Sequence, residues 1–254
     1  MSPLGRDLVA ELARGGRPLI GTWVKIPAVE TVELLGHAGF DFIVADLEHS
    51  PLTLESAYRA IAVAQSGGMA ALARVPDDGG SDAQRLLDAG ADGILVPRVT
   101  SVAQASAALR RLVFAPMGER GMGRTSRAGR WGLAPLEEYL VRGMDQVLRC
   151  LQLEDLGALR DAPGMLGLEH LGALFVGMGD LTLSSGLDPG DPALAGLVRA
   201  VLDEARGASI PVGTAVGDAS GVRRAVEAGY SFVMVANDAG IFGQAAADLV
   251  AACR

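Results

Sequence analysis

The chain has 254 residues, half of them apolar, and a formal net charge of -8 at neutral pH. That length and composition suit one barrel-sized core, and the acidic balance argues against a general nucleic-acid surface while leaving room for a local cationic pocket that takes an anion. No apolar run reaches the roughly 18 residues needed to cross a bilayer and the first residues lack a signal-peptide core, so a soluble cytoplasmic protein with no membrane partner is expected.

Continuous apolar runs alternate with segments of helical period, the pattern of parallel strands covered by helices. In chain order the reading is strand 19–25, helix 28–37, strand 42–46, helix 54–65, strand 70–75, helix 82–88, strand 93–96 and helix 102–112. It continues with helix 136–144, strand 147–153, helix 155–159, strand 174–177, helix 192–206, strand 211–216, helix 220–228, strand 232–236 and helix 241–252. Three times a helix tail ends in Ala-Gly before an apolar strand, at Gly39, Gly90 and Gly229, and glycine there suits a left-handed helix cap. Eight strands with intervening helices predict a single-domain closed (β/α)8 barrel over 1–254. The runner-up, an open doubly wound sheet, lacks the Gly-x-Gly-x-x-Gly turn after its first strand, and residues 176–180 hold only two glycines.

One connection breaks the rhythm. Residues 113–135 are rich in Gly and Arg, including Arg120, Arg124 and Arg127. Long loops in compact domains are commonly functional, so this one is read as carrying arginine to an anionic substrate, packing on a neighbouring subunit, or moving freely in solvent. The two cysteines, Cys150 and Cys253, have no metal-ligand spacing. Cys150 reads as a core thiol.

The sharpest local signal is the strand 42–46, which runs into Asp46, Glu48 and His49. Carboxylates beside an imidazole at a buried strand end need compensation by a cation or a hydrogen-bond network, which suits chemistry; the plain alternative is a strand end facing water. In a barrel the C-terminal strand ends converge on one mouth. Arg74 after strand 3, Gln152 and Glu154 after strand 5, and Asp180 after strand 6 therefore fall on the same rim as His49. Glu154 and Asp180 suit Mg²⁺ or Mn²⁺ with several open coordination positions, or else helix capping. His49 suits a general base near neutral pH. Arg74 suits paired hydrogen bonding to a substrate carboxylate, or an internal salt bridge. Glycine beside Asp180, at Gly179, lets backbone amides approach an anion. His37, on a helix, and His170, in a loop, read as packing or solvent-facing residues. Lys25 is the only lysine in the chain, so Schiff-base chemistry would have to use it.

Across nearly its whole length the chain resembles the HpcH/HpaI aldolase family, metal-dependent class II aldolases of the phosphoenolpyruvate/pyruvate barrel superfamily. The resemblance is carried by Asp46-Leu47-Glu48-His49-Ser50-Pro51, Arg74, Leu86-Leu87-Asp88-Ala89-Gly90, Gly121-Met122-Gly123, Leu151-Gln152-Leu153-Glu154 and Phe175-Val176-Gly177-Met178-Gly179-Asp180-Leu181. It implies that Glu154 and Asp180 bind a divalent metal, Mg²⁺ or Mn²⁺ foremost with Co²⁺ as a further candidate. It implies that His49 is the base partnered by Asp88, that Arg74 holds the pyruvate end, and that Gln152 and the backbone at Gly179 complete the pocket. The implied reaction is cleavage of a 4-hydroxy-2-oxo acid to pyruvate and an aldehyde, and its reversal, in a homo-oligomer, trimer or hexamer, with exchange of C-terminal helices. Met178 stands where the family commonly has proline. The competing readings are a CoA-ester lyase of the citrate-lyase beta type, a Lys25 Schiff-base aldolase, and a non-catalytic barrel that binds a ligand.

Overall fold

Strands covered on both faces have no side turned to water, and nearly every residue of the strands is buried. The computed structural model describes residues 6–77 and 80–254; residues 1–5, most of the stretch read above for a leader, lie outside them. The strands are β1 (Leu19–Val24), β2 (Phe42–Asp46), β3 (Ala70–Arg74), β4 (Gly93–Val96), β5 (Leu148–Leu153), β6 (Ala173–Val176), β7 (Val212–Val216) and β8 (Phe232–Asn237). They pair in parallel in sequence order and close, with β8 against β1. The helices are α1 (Leu8–Arg14), α2 (Val29–Ala38), α3 (Leu54–Ser66), α4 (Gly80–Asp88), α5 (Val102–Arg111), α6 (Leu136–Asp145), α7 (Leu156–Met165), α8 (Met178–Ser185), α9 (Pro192–Gly207), α10 (Ala219–Ala228) and α11 (Asp238–Ala252).

Strand side chains alternate between the barrel interior and the helical layer. Along β5, Leu148 and Cys150 join the inner cluster with Phe42, Val44, Leu72 and Phe175, while Leu151 and Leu153 join the outer one. Rings meet edge to face inside the barrel, Trp23 with Phe175 and Phe42 with Phe232, each at 6.1 Å between centroids. Glycine makes room for them: a Cβ at Gly213 would lie 2.1 Å from the Phe232 ring. The same alternation, continued to the strand ends, puts Asp46, Arg74, Gln152 and then Glu154 on the inner face at the mouth.

At the opposite end, where strands begin, buried acids tie the helices to the sheet. Burial pushes the Asp41 carboxyl up, but Arg17, the Ile20 N–H and Arg6 outweigh it and hold it at about 2. Asp92 accepts from Gln65, Arg142 and the Ala71 N–H.

The Ala-Gly junctions are left-handed as expected, with φ of +93° at Gly39, +92° at Gly90 and +102° at Gly229. Helices α1 and α8 were not foreseen, both being short and weakly patterned. Helix α7 continues to Met165 through Pro163, past the expected end at Leu159, because its last turn packs Ala162 and Met165 into the core. The arginine-rich connection is neither a free loop nor part of the mouth. It contains a short 3₁₀ segment, Arg127–Gly132, and packs on the strand-start end of the barrel. There Arg120 pairs with Asp88 at 3.0 Å, and Arg127 donates to Gln65 at 2.6 Å and to the Ala89 carbonyl at 3.0 Å.

Candidate active site

The mouth is organised around Asp46, which is fully buried. Parallel register sets Asp46 beside Arg74. Arg74 donates from Nε to Oδ1 at 3.0 Å and from Nη2 to Oδ2 at 2.8 Å, a two-pronged pair of the kind planar guanidinium favours. Its guanidinium carbon lies over the Trp23 ring, 4.2 Å from the ring centroid, and the ring face supports the cation. Lys25 adds a contact from Nζ to Asp46 Oδ2 at 2.5 Å and another to the His49 carbonyl at 3.0 Å. The N–H groups of Glu48 and His49 also point to Asp46 Oδ1, at 3.1 and 3.2 Å. Burial pushes the Asp46 carboxyl up; Arg74, Lys25 and the backbone together overcome it and hold it at about 2.

Two expectations change here. Arg74 realises its internal salt-bridge role, so two of its three donor nitrogens are committed and only Nη1 remains, 3.2 Å from Glu48 Oε2. Lys25 Nζ is occupied by Asp46 and the His49 carbonyl, which counts against a Schiff-base aldolase.

The same contacts that anchor its main chain leave the His49 imidazole open, with its side chain 56% exposed and Nε2 3.7 Å from Glu48 Oε2. Asp88 does not accompany it. Asp88 ends α4, two residues before Gly90, at the strand-start end of the barrel, and its partner is Arg120. A helix that runs antiparallel to the strands necessarily puts its last residue at the end remote from the mouth, so the pairing with His49 is not made within one chain. Burial raises the Asp88 carboxyl despite Arg120.

On the other side of the mouth, Glu154 is buried and accepts the Arg98 N–H at 2.6 Å on Oε1 and Gln152 on Oε2. Burial raises its carboxyl, the neighbouring carboxylates of Asp180 and Glu48 raise it further, and the two donors offset this only in part. Asp180 lies exposed in the first turn of α8. Gly177, which caps that helix, lies close against the site: a Cβ would stand 2.9 Å from Gln152 Nε2 and 3.3 Å from Glu154 Oε2, so those side chains would have to shift. Gly179 faces open space.

Two buried acceptors near Glu154 lack a hydrogen bond, Gln152 Oε1 and Glu48 Oε2, the latter 3.2 Å from the Arg74 guanidinium. An all-oxygen donor set in which the Glu154 carboxyl is only partly offset by its own donors fits a hard divalent cation. Among the described residues no group of three or more His, Cys, Asp or Glu is placed to hold a metal.

Sequence reasoning missed Arg98. Its signal was available: a cation straight after the apolar strand β4 and Pro97 has the same strand-end placement as the residues that were noticed.

A closed eight-stranded parallel barrel with acids, a guanidinium and an imidazole at the C-terminal mouth defines a barrel enzyme. The HpcH/HpaI aldolase/citrate lyase family model matches residues 19–245. The chain belongs to that family, and it is a carbon–carbon lyase. It is 31% identical over 245 residues to a 2-dehydro-3,6-dideoxy-6-sulfogluconate aldolase of Pseudomonas putida, covering 96% of this chain and 95% of that one. It is 29% identical over 241 residues to a 4-hydroxy-2-oxo-heptane-1,7-dioate aldolase of Shigella sonnei, covering 94% and 91%. A crystal structure of a family protein from Burkholderia cenocepacia superposes with a TM-score of 0.90 at 27% identity, covering 98% of this chain and 99% of that one.

Proposed function

We propose that this enzyme cleaves a 4-hydroxy-2-oxo acid to pyruvate and an aldehyde, and joins the two in reverse. The observation that carries the reading is the union, at one mouth, of an under-compensated Glu154–Asp180 acid pair with Arg74 and an open His49. Glu154 and Asp180 would hold a divalent cation, Mg²⁺ or Mn²⁺ by donor type, with Co²⁺ as a further candidate. When bound, the ion supplies Lewis-acid stabilisation for the negative charge that the 2-oxo oxygen gains.

The chain's own groups do the rest. Arg74 Nη1 orients the 2-oxo acid, while the pair with Asp46 keeps the guanidinium plane fixed. His49 accepts the proton of the 4-hydroxyl; the C3–C4 bond breaks, C4 becomes the aldehyde carbon, and the electron pair passes to the three-carbon half as the enolate of pyruvate. Protonation at C3 then completes pyruvate. Gln152 and the first-turn N–H groups of α8 near Gly179 line the carboxylate side.

Asp88 can orient His49 only if it comes from a second copy of the chain. A homo-oligomer is also supported by α11, in which Ile241, Phe242, Leu249 and Val250 are exposed together and only Asp238 is buried. Exchange of this helix between copies would cover them.

The test is exchange of solvent deuterium into the pyruvate methyl group, followed by NMR. Metal-dependent exchange that is lost with EDTA and in Asp180→Asn supports the reading. Exchange indifferent to EDTA, with borohydride trapping on Lys25, would replace it by Schiff-base chemistry. No exchange, together with binding of a malyl-CoA-like thioester, would favour a CoA-ester lyase.

A further inference from the structure

Arg98 is a polar group of the mouth to which the reaction above assigns no task. Its backbone has φ of +54°, a region where residues with a Cβ are disfavoured relative to glycine. This conformation turns its N–H onto Glu154 Oε1 at 2.6 Å. Glycine would offer the same N–H at lower conformational cost, so the backbone contact alone does not account for an arginine at this position.

The side chain supplies the remaining reason. Its guanidinium spans from the β4 end toward the ends of β2 and β3, with Nε 3.3 Å from Glu48 Oε1 and Nη2 donating to the Pro76 carbonyl. It is nevertheless 60% exposed, whereas Arg74 is 6% exposed and committed to Asp46. Among the described residues Nη1 of Arg98 has no partner. Glu48 lies between two guanidinium groups, so it neutralises neither fully. Arg98 is thus a fixed cation on the rim, above the catalytic groups and turned to incoming solute, with its planar fork of donors partly free. Such a fork matches a carboxylate; lysine would supply the charge without the paired geometry, and an apolar side chain neither.

We propose that Arg98 determines specificity for the aldehyde half of the reaction by receiving an acidic group, a carboxylate in the simplest case, at the end of the aldehyde remote from its carbonyl. The proposal rests on the aldolase reading and names the substrate class of that same site. Its chemical consequence is a preference for acidic aldehydes over neutral ones of equal length.

The experiment compares kcat/KM for aldol addition of pyruvate to 4-oxobutanoate and to its methyl ester, in the unmodified enzyme and in Arg98→Gly and Arg98→Lys. Arg98→Gly keeps the left-handed backbone and the N–H to Glu154, so it removes the guanidinium with least disturbance. The unmodified enzyme should favour the acid, and in Arg98→Gly the acid-to-ester ratio should fall by about 10- to 100-fold, the range of one charge-assisted contact. The loss should lie mainly in KM for 4-oxobutanoate, and Arg98→Lys should recover part of the ratio. Equal loss on both aldehydes in Arg98→Gly, or no preference in the unmodified enzyme, overturns the proposal. Deuterium exchange into pyruvate by the unmodified enzyme without aldehyde separates the two levels: its absence defeats the aldolase reading, whereas exchange with an unchanged ratio defeats only the role of Arg98.

Discussion

Asp46→Asn is the substitution that most directly probes how the mouth is held. Asparagine preserves the shape but turns an amide N–H₂ toward Arg74 or Lys25, donor against donor, and removes the charge both cations face. Removing one partner of a buried ion pair costs about 3–5 kcal/mol. A separate route gives the part of this that is linked to pH. The fall from 3.8 to about 2 in the folded state corresponds to about 2 kcal/mol, and full burial of Asp46 leaves no solvent to screen it. Because the folded value lies below the unfolded one, this stabilisation is complete above about pH 4 and is lost as the pH falls through about 2. Urea unfolding of both proteins at pH 7 and pH 3 measures it. The expected gap is about 3 kcal/mol or more at pH 7, narrowing by about 1 kcal/mol at pH 3, where the unfolded chain already binds at Asp46 the proton that the folded protein still excludes. A gap that stays constant over that range would show that Asp46 is not held low by Arg74 and Lys25, and the account of the mouth would fail.

Three further outcomes follow from the geometry. Gly177→Ala drives a methyl group against Gln152 and Glu154, so calorimetry should find Mn²⁺ binding weakened about 10-fold or more with little change in the urea midpoint; unchanged affinity would remove Glu154 from the metal site. His49→Ala and Asp88→Ala should each lose pyruvate exchange, and mixed oligomers of the two variants should regain part of it, since one interface then joins an intact His49 to an intact Asp88; no recovery on mixing would end the assignment of Asp88 to a neighbouring site. Phe242→Asp combined with Leu249→Asp should lower the mass seen by light scattering while leaving the far-ultraviolet spectrum intact, because both side chains are exposed in the single chain; an unchanged mass would mean that α11 does not hold copies together.

The strands, the Ala-Gly helix ends and the polar strand ends were legible in the sequence because each is a local property. A parallel strand buried on both faces is a continuous apolar run, a left-handed cap asks for glycine, and alternation carries Cys150 to Gln152 to Glu154 on one face without knowledge of any neighbour. Eight such strands then admit a closed barrel, which brings Asp46, His49, Arg74, Glu154 and Asp180 to one rim. Pairing among those groups is a different matter, for it depends on register and helix direction. Only the register of β2 against β3 gives Arg74 to Asp46 and leaves Nη1 alone outside that pair, 3.2 Å from Glu48. Only the antiparallel run of α4 carries Asp88 away from His49 to Arg120, and only the packing of 113–135 on the strand-start end takes its arginines from the mouth. The left-handed turn at Arg98, which aims an N–H at Glu154 and a guanidinium at Glu48, leaves no mark in the residue order, because φ at a single arginine is imposed by the partners that surround it.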